Sequence, residues 1–139
     1  ISSAIAGPLS AGIAPTARGY ATNLSIVSAH LAGNSINTEW IDLLGMKSHT
    51  TIVLMGLSRA EEIVKAALER GYDAKMPTAI ISNASRPNQK RIITTLEELP
   101  EAAKTAERPG IIVFGDVVNL HNVLPEYQFE KETLHDKIA

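Results

Sequence analysis

The sequence contains no cysteine among its 139 residues, so disulfides, thiolate zinc sites and cysteine nucleophiles are excluded. It also contains no Gly-x-Gly and no Gly-x-Ser-x-Gly sequence. It therefore carries neither a dinucleotide-binding fingerprint nor the nucleophile elbow of serine hydrolases. The four histidines are scattered without metal-ligand spacing, and we expect no metal site.

Two further features are missing: an apolar run of the ~20 residues needed to span a bilayer, and an excess of basic residues. Thirteen Lys and Arg residues against 15 Asp and Glu residues give a formal net charge of −2. A protein that binds nucleic acid or an anionic membrane surface would carry a concentrated basic excess. We therefore expect neither kind of partner.

The composition that is present is typical of a globular domain, with 45% hydrophobic and 20% charged residues. A length of 139 residues suits one domain. We expect a cytoplasmic domain that spans residues 1–139 and ends in a charged tail at 122–139. The chain begins at Ile1 without a Met and inside an Ala-rich, helix-like segment, so we expect it to be part of a longer protein.

Apolar runs with strand periodicity alternate with helical patterns along the chain. The predicted strands cover 22–30, 50–55, 77–82, 91–94 and 111–114, and the predicted helices cover 38–44, 58–71 and 95–106. Ser58 with Glu61, and Thr95 with Glu98, have capping-box spacing, which predicts helix starts at Ser58 and Thr95. Pro100 is expected to kink or shorten the last helix. Interleaved strands and helices indicate an α/β layer with one central sheet.

Polar or flexible residues follow three of the predicted strands, where ligands collect in open α/β sheets. His30 follows the first strand, Met55 ends the second, and residues 83–86 follow the third. Met55 could be core packing or a soft thioether presented to a flat ligand. Arg18, in the loop before the first strand, could bind a carboxylate or be a solvated surface side chain.

Six motifs in order carry a family resemblance: ISSAIAGPLSAGIAPTARGYA, VSAH, TEWIDLL, LMG, NASRPNQKRIITTL and VFGDVVNL. This succession resembles the C-terminal half of the uroporphyrinogen-III C-methyltransferases, in the tetrapyrrole methylase family. The resemblance covers the chain from Ile1 to about His121. It departs from the family at Ala14, Pro15 and Ala17, where the family has Pro, an aliphatic residue and His.

The resemblance implies the C-terminal domain of a tetrapyrrole methylase, with a mixed central sheet of about five strands flanked by helices. It implies a homodimeric enzyme that holds S-adenosylmethionine (SAM) between this domain and a Gly-rich N-terminal domain that is absent from this chain. The implied reaction is methylation of two ring carbons of uroporphyrinogen III. The products would be precorrin-2, on the way to siroheme and cobalamin, and S-adenosylhomocysteine.

The resemblance also implies roles for six positions, carried over one by one. The cofactor-contacting positions are Ser2, Ser3, Met55 and Ala84, and the positions that face the tetrapyrrole are Arg18 and His30. Met55 would lie near the reacting methyl group and is the catalytic candidate. Two alternatives stay open: a methylase of another tetrapyrrole such as a later precorrin, and, for this chain alone, a non-catalytic dimerisation or interaction module.

Overall fold

The computed structural model describes residues 3–33 and 35–122 and shows a mixed five-stranded sheet with helices on both faces. The strands are β1 Asn23–Ser28, β2 His49–Leu54, β3 Pro77–Ser82, β4 Lys90–Thr95 and β5 Gly110–Phe114. The α-helices are α1 Ser3–Ser10, α2 Ala60–Glu69 and α3 Leu99–Thr105, and 3₁₀ helices cover Glu39–Gly45, Leu57–Arg59 and Asp116–Asn122. The predicted α/β fold is confirmed, and every strand lies within two residues of its predicted bounds. The predicted tail, beyond Asn122, lies outside the described residues.

The last strand in sequence lies in the middle of the sheet, whose order is β1-β2-β5-β3-β4. β1 and β2 are parallel, whereas β5 is antiparallel to both of its neighbours, β2 and β3. β5 is an apolar run of β-branched and aromatic residues that is buried along nearly its whole length, as a central strand should be. Its insertion places the first residues of β5 beside the last residues of β2 and β3.

Each face of the sheet has its own hydrophobic core. On one face, Val53, Ile80 and Ile112 pack beneath α2, α3 and the first 3₁₀ helix. On the other face, Ile52 and Val113 pack beneath α1 and the last 3₁₀ helix. All five side chains are fully buried, and each such burial stabilises the fold by about 1.5–3 kcal/mol. Within residues 3–33 and 35–122, no helix is long and apolar enough to cross a bilayer.

Two helices differ from what their sequences predict, one in its type and the other in where it begins. The helix predicted at 38–44 is a 3₁₀ helix, Glu39–Gly45, and its apolar side chains are buried as expected. The capping box predicted at Ser58 does not form. α2 begins at Ala60 after a 3₁₀ turn at Leu57–Arg59, and no side chain caps its N-terminus. Leu57 is buried in the core, which holds this segment as a separate turn.

The predicted start of the last helix at Thr95 is also wrong. Thr95 stays in β4, paired with Pro77, and α3 begins at Leu99 with Glu98 as its N-cap residue. Pro100 lies in the first turn of α3, where a missing N–H loses no intrahelical hydrogen bond. α3 is shorter than the predicted helix, 95–106, and shortening is one of the two effects expected of Pro100.

The turn after β5 generates a stability prediction. Gly115 has φ +135°, and a Cβ there would lie 2.8 Å from the backbone oxygen of His49. Gly71 also has a positive φ, +80°, but faces open space. We expect Gly115→Ala to lower the free energy of unfolding by about 3 kcal/mol and Gly71→Ala by about 1 kcal/mol. Chemical denaturation of both variants measures the difference, and equal losses would show that the close approach to His49 costs nothing.

Candidate functional site

An open cleft of about 680 Å³ lies at the edge of the sheet where β1, β2 and β3 end and β5 begins. Its size falls in the range of small-molecule sites. The register places Ser82 opposite Gly110, and Val53 opposite Ile112. The loops after β2 and β3 therefore meet the segment that enters β5. This meeting forms the cleft.

Met55 follows directly on β2 and has an unusual backbone conformation for its size. Its φ is +55°, in the left-handed region where a bulky residue is strained by about 1–3 kcal/mol. Its side chain lines the cleft and is 60% exposed, although it is apolar. Packing within the described residues accounts for neither the strained backbone nor the exposed side chain. Met55 is therefore a candidate for contact with a ligand.

Asn83 follows β3 and joins the two loops that border the cleft. It is 5% exposed and has φ +51°. Its backbone N–H donates to the Pro109 oxygen at 2.9 Å, and its oxygen accepts from the N–H of Arg86 at 3.1 Å. Its side-chain amide donates to Oε2 of Glu107 at 2.9 Å, and Lys90 donates to the other oxygen of that carboxylate at 2.7 Å. Asn83 thus fixes one loop against the other.

The loop after β3 is also fastened to α1. Oε1 of Gln89 accepts from the Ser10 hydroxyl at 2.7 Å and from the N–H of Ser85 at 2.8 Å. α1 in turn packs closely on the cleft, because a Cβ at Gly7 would lie 3.2 Å from the Cβ of Ala84. Within the NASRPNQ motif, Asn83 and Gln89 therefore hold this loop in place.

The structure brings together three of the residues singled out in the sequence. His30, Met55 and Ala84 all line the cleft. Arg18 is exposed and is not among the described residues that line it. The turn that contains Arg18 leads to Asn23, at the start of β1. The N–H of Asn23 donates to the backbone oxygen of Ser48, just before β2. Arg18 therefore lies towards the end of the sheet where β1 and β2 begin, opposite to the cleft. Ser2 and the side chain of Ser3 lie outside the described residues.

Sequence reasoning missed the segment that enters β5. Arg108, Pro109 and Gly110 line the cleft, yet nothing in their sequence signals this. They border the cleft only because β5 lies between β2 and β3. No pattern of apolar residues specifies that strand order.

The cleft is lined by basic but not acidic side chains. His30, Arg86 and Arg108 line it, and no Asp or Glu is among its described lining residues. A second pocket of about 390 Å³ at the opposite edge has Asp73 and Asp116 in its lining. In the described ranges no three His, Asp or Glu side chains converge as a metal site would require. The chain as a whole is slightly acidic, so the basic character belongs to the cleft.

Two exposed lysines outside the cleft have raised pKa values. The pKa of Lys75 is raised because Lys75 hydrogen-bonds to Glu97, with a further contribution from the charge of that carboxylate. The pKa of Lys104 is raised in the same way by Glu101, at 2.8 Å. Neither lysine lines the cleft.

The fold and the cleft define an α/β domain with a cleft of small-molecule size at the ends of its strands. The chain belongs to the Tetrapyrrole (Corrin/Porphyrin) Methylases, whose family model matches residues 1–100.

Individual relatives agree with this membership. The chain is 39% identical over 123 residues to the uroporphyrinogen-III C-methyltransferase of Methanocaldococcus jannaschii, covering 86% of this chain and 50% of that protein. It is 36% identical over 118 residues to siroheme synthase 1 of Klebsiella pneumoniae, covering 85% of this chain and 25% of that protein. The chain thus spans a quarter to a half of these relatives.

A solved structure has the same fold. The uroporphyrin-III C-methyl transferase from Thermus thermophilus, complexed with S-adenyl homocysteine, superposes with a TM-score of 0.70 at 31% identity. The match covers 81% of this chain and 50% of that one.

The hydrogen bonds of Asn83 generate a prediction for the cleft. Asn83→Ala removes the bond to Glu107 and leaves an alanine at positive φ, whereas Asn83→Gly removes the same bond without the backbone strain. We expect the Ala variant to lower the free energy of unfolding by about 3 kcal/mol and the Gly variant by about 2 kcal/mol. Thermal denaturation compares them. If the Gly variant were no more stable than the Ala variant, the left-handed conformation at residue 83 would not strain an alanine, which contradicts the prediction.

Proposed function

We propose that this chain is the C-terminal half of a SAM-dependent methyltransferase that converts uroporphyrinogen III to precorrin-2, for siroheme and cobalamin synthesis. The observation that carries the proposal is the strained, exposed Met55, which shares the cleft with Ala84. Family membership and the identity to a uroporphyrinogen-III C-methyltransferase support it. The two methylations would each release S-adenosylhomocysteine.

The cleft suits the adenosyl part of SAM. Met55 offers a polarisable thioether to a flat ring. Ala84 offers a small side chain, and the close approach of Gly7, where a Cβ would lie 3.2 Å from the Cβ of Ala84, leaves little room for a larger residue at 84. Ser2 and Ser3 are proposed as further cofactor contacts at the start of α1. SAM supplies the methyl group, and the role of Met55 is to orient it, since in-line transfer depends on position.

The tetrapyrrole is proposed to approach the cleft from the side of His30. Its acetate and propionate groups are carboxylates, for which an imidazole is a suitable hydrogen-bond donor. Arg18 stays a proposed substrate residue on the motif alone, because it lies outside the cleft lining. To contact Arg18, a bound tetrapyrrole would have to extend beyond the cleft, or another part of the protein would have to bring the two together.

The proposed enzyme includes a Gly-rich N-terminal domain that closes the cleft, works as a homodimer and is cytoplasmic. Apolar side chains exposed on the α1 side of the sheet support a covering partner. Ile5 and Leu9, one turn apart on α1, are 48% and 62% exposed, and Ile26 on the edge strand β1 is 45% exposed. Exposed apolar side chains of this kind are typical of surfaces that contact another part of a protein.

Incubating the full-length gene product anaerobically with SAM and uroporphyrinogen III tests this function. Mass spectrometry of the tetrapyrrole is expected to show the addition of two methyl groups. SAM binding without methylation would direct the search to another precorrin acceptor. Absence of SAM binding would contradict the proposed enzyme and leave a non-catalytic interaction module.

The role of Met55 is tested by Met55→Leu, with Met46→Leu as the matched control. Met46 is also exposed, at 53%, but lies at the second pocket. The swap conserves volume, so both variants should fold with nearly unchanged stability. We expect methyl transfer to fall roughly tenfold only for Met55→Leu, because the thioether contact is lost. Equal turnover of the two variants would remove Met55 from the site.

A further inference from the structure

We propose that Arg86 and Arg108 form a carboxylate-binding pair at the mouth of the cleft. Arg86 lies on the loop after β3 and Arg108 on the segment that enters β5, and both line the cleft. Guanidinium groups bind carboxylates through paired hydrogen bonds. The proposal rests on the proposed function only for the identity of the molecule that carries the carboxylates.

Both guanidinium groups are free to bind a ligand. Arg86 and Arg108 are exposed, and neither side chain has an ion pair or hydrogen bond with any residue in 3–33 or 35–122. The nearest carboxylate in sequence, Glu107, is already engaged by Lys90 and Asn83. Arg108 also borders a neighbouring pocket lined by Glu61 and Glu62. Glu62 is paired with Arg59 at 2.9 Å, and neither carboxylate forms an ion pair with Arg108 among the described residues.

The backbone fixes where the two side chains start. The N–H of Arg86 donates to Asn83 at 3.1 Å, and its oxygen accepts from Gln89 at 2.9 Å. Arg108 precedes Pro109, whose oxygen accepts from Asn83 at 2.9 Å. One buried residue thus holds both arginine-bearing segments. Because the backbone at both arginines is already held, only their side chains have to be ordered when a ligand binds.

The charge of the ligand explains why arginines would lie here. The sulfonium of SAM is positive and repels the two arginines, whereas the carboxylates of the cofactor and of the tetrapyrrole complement them in charge. Two sources exist: the methionine carboxylate of SAM and the acetate or propionate groups of the tetrapyrrole. Both present the same chemistry to a guanidinium.

Binding measurements on the full-length gene product distinguish the two sources. The probes are uroporphyrin III, S-adenosylhomocysteine and 5′-methylthioadenosine, which lacks the amino-acid carboxylate. The variants are Arg86→Ala, Arg108→Ala and the double variant. Arg70→Ala is the control, because it removes the same group from a surface pair with Asp42, outside the cleft.

We expect the double variant to raise the Kd of one carboxylate probe by roughly tenfold to a hundredfold, with methylthioadenosine and the control unchanged. If only the affinity for uroporphyrin falls, the arginine pair binds the tetrapyrrole. If only the affinity for S-adenosylhomocysteine falls, the pair binds the cofactor. Arg86→Lys should recover only part of the affinity, since lysine lacks the paired donors. Unchanged Kd values for both carboxylate probes would overturn the pair and leave the proposed function standing.

If the wild-type protein binds neither uroporphyrin nor S-adenosylhomocysteine, the proposed function fails. The carboxylate-binding role of Arg86 and Arg108 is then tested by a separate experiment. Benzene-1,2,4,5-tetracarboxylate is then titrated while the arginine Nε–Hε resonances are followed by NMR. Shifts of the Arg86 and Arg108 signals, absent from the double variant, support a carboxylate site. Unmoved signals for both residues contradict it.

Discussion

The antiparallel insertion of β5 between β2 and β3 is the constraint on which the candidate site depends. Because β5 runs opposite to its neighbours, its first residue, Gly110, lies beside the last residue of β3, Ser82. Three loops from distant parts of the sequence therefore meet at one edge of the sheet. Fully buried side chains on both faces of β5, such as Ile112 and Val113, hold it there, and the hydrophobic core thus maintains the cleft.

The cleft combines backbone strain with a fixed framework. Met55 and Asn83 both have positive φ and occupy equivalent places, just after β2 and β3, the two strands that flank β5. Asn83 is compensated by hydrogen bonds to three partners, whereas the exposed side chain of Met55 gains nothing comparable from the fold. Asn83 therefore holds the cleft together, whereas Met55 is a candidate for contact with a ligand. Strain that the fold does not repay is expected where a ligand binds.

The sequence predicted the strands well and their arrangement poorly. The β-branched runs fixed the strand bounds to within two residues, and the rule that ligands collect at strand ends united His30, Met55 and Ala84 correctly. The capping boxes failed because pairing in β4 and burial of Leu57 outweighed local helix signals. The part of the cleft that includes Arg108 could not be predicted, because it depends on the place of β5 in the sheet, which is a long-range property.

We propose that the cleft at the ends of β2 and β3 holds the cofactor. A crystal structure of the full-length gene product with S-adenosylhomocysteine bound tests it most directly. We expect S-adenosylhomocysteine in contact with both Met55 and Ala84. S-adenosylhomocysteine bound in the second pocket, beside His49, with the cleft free of ligand, would contradict it.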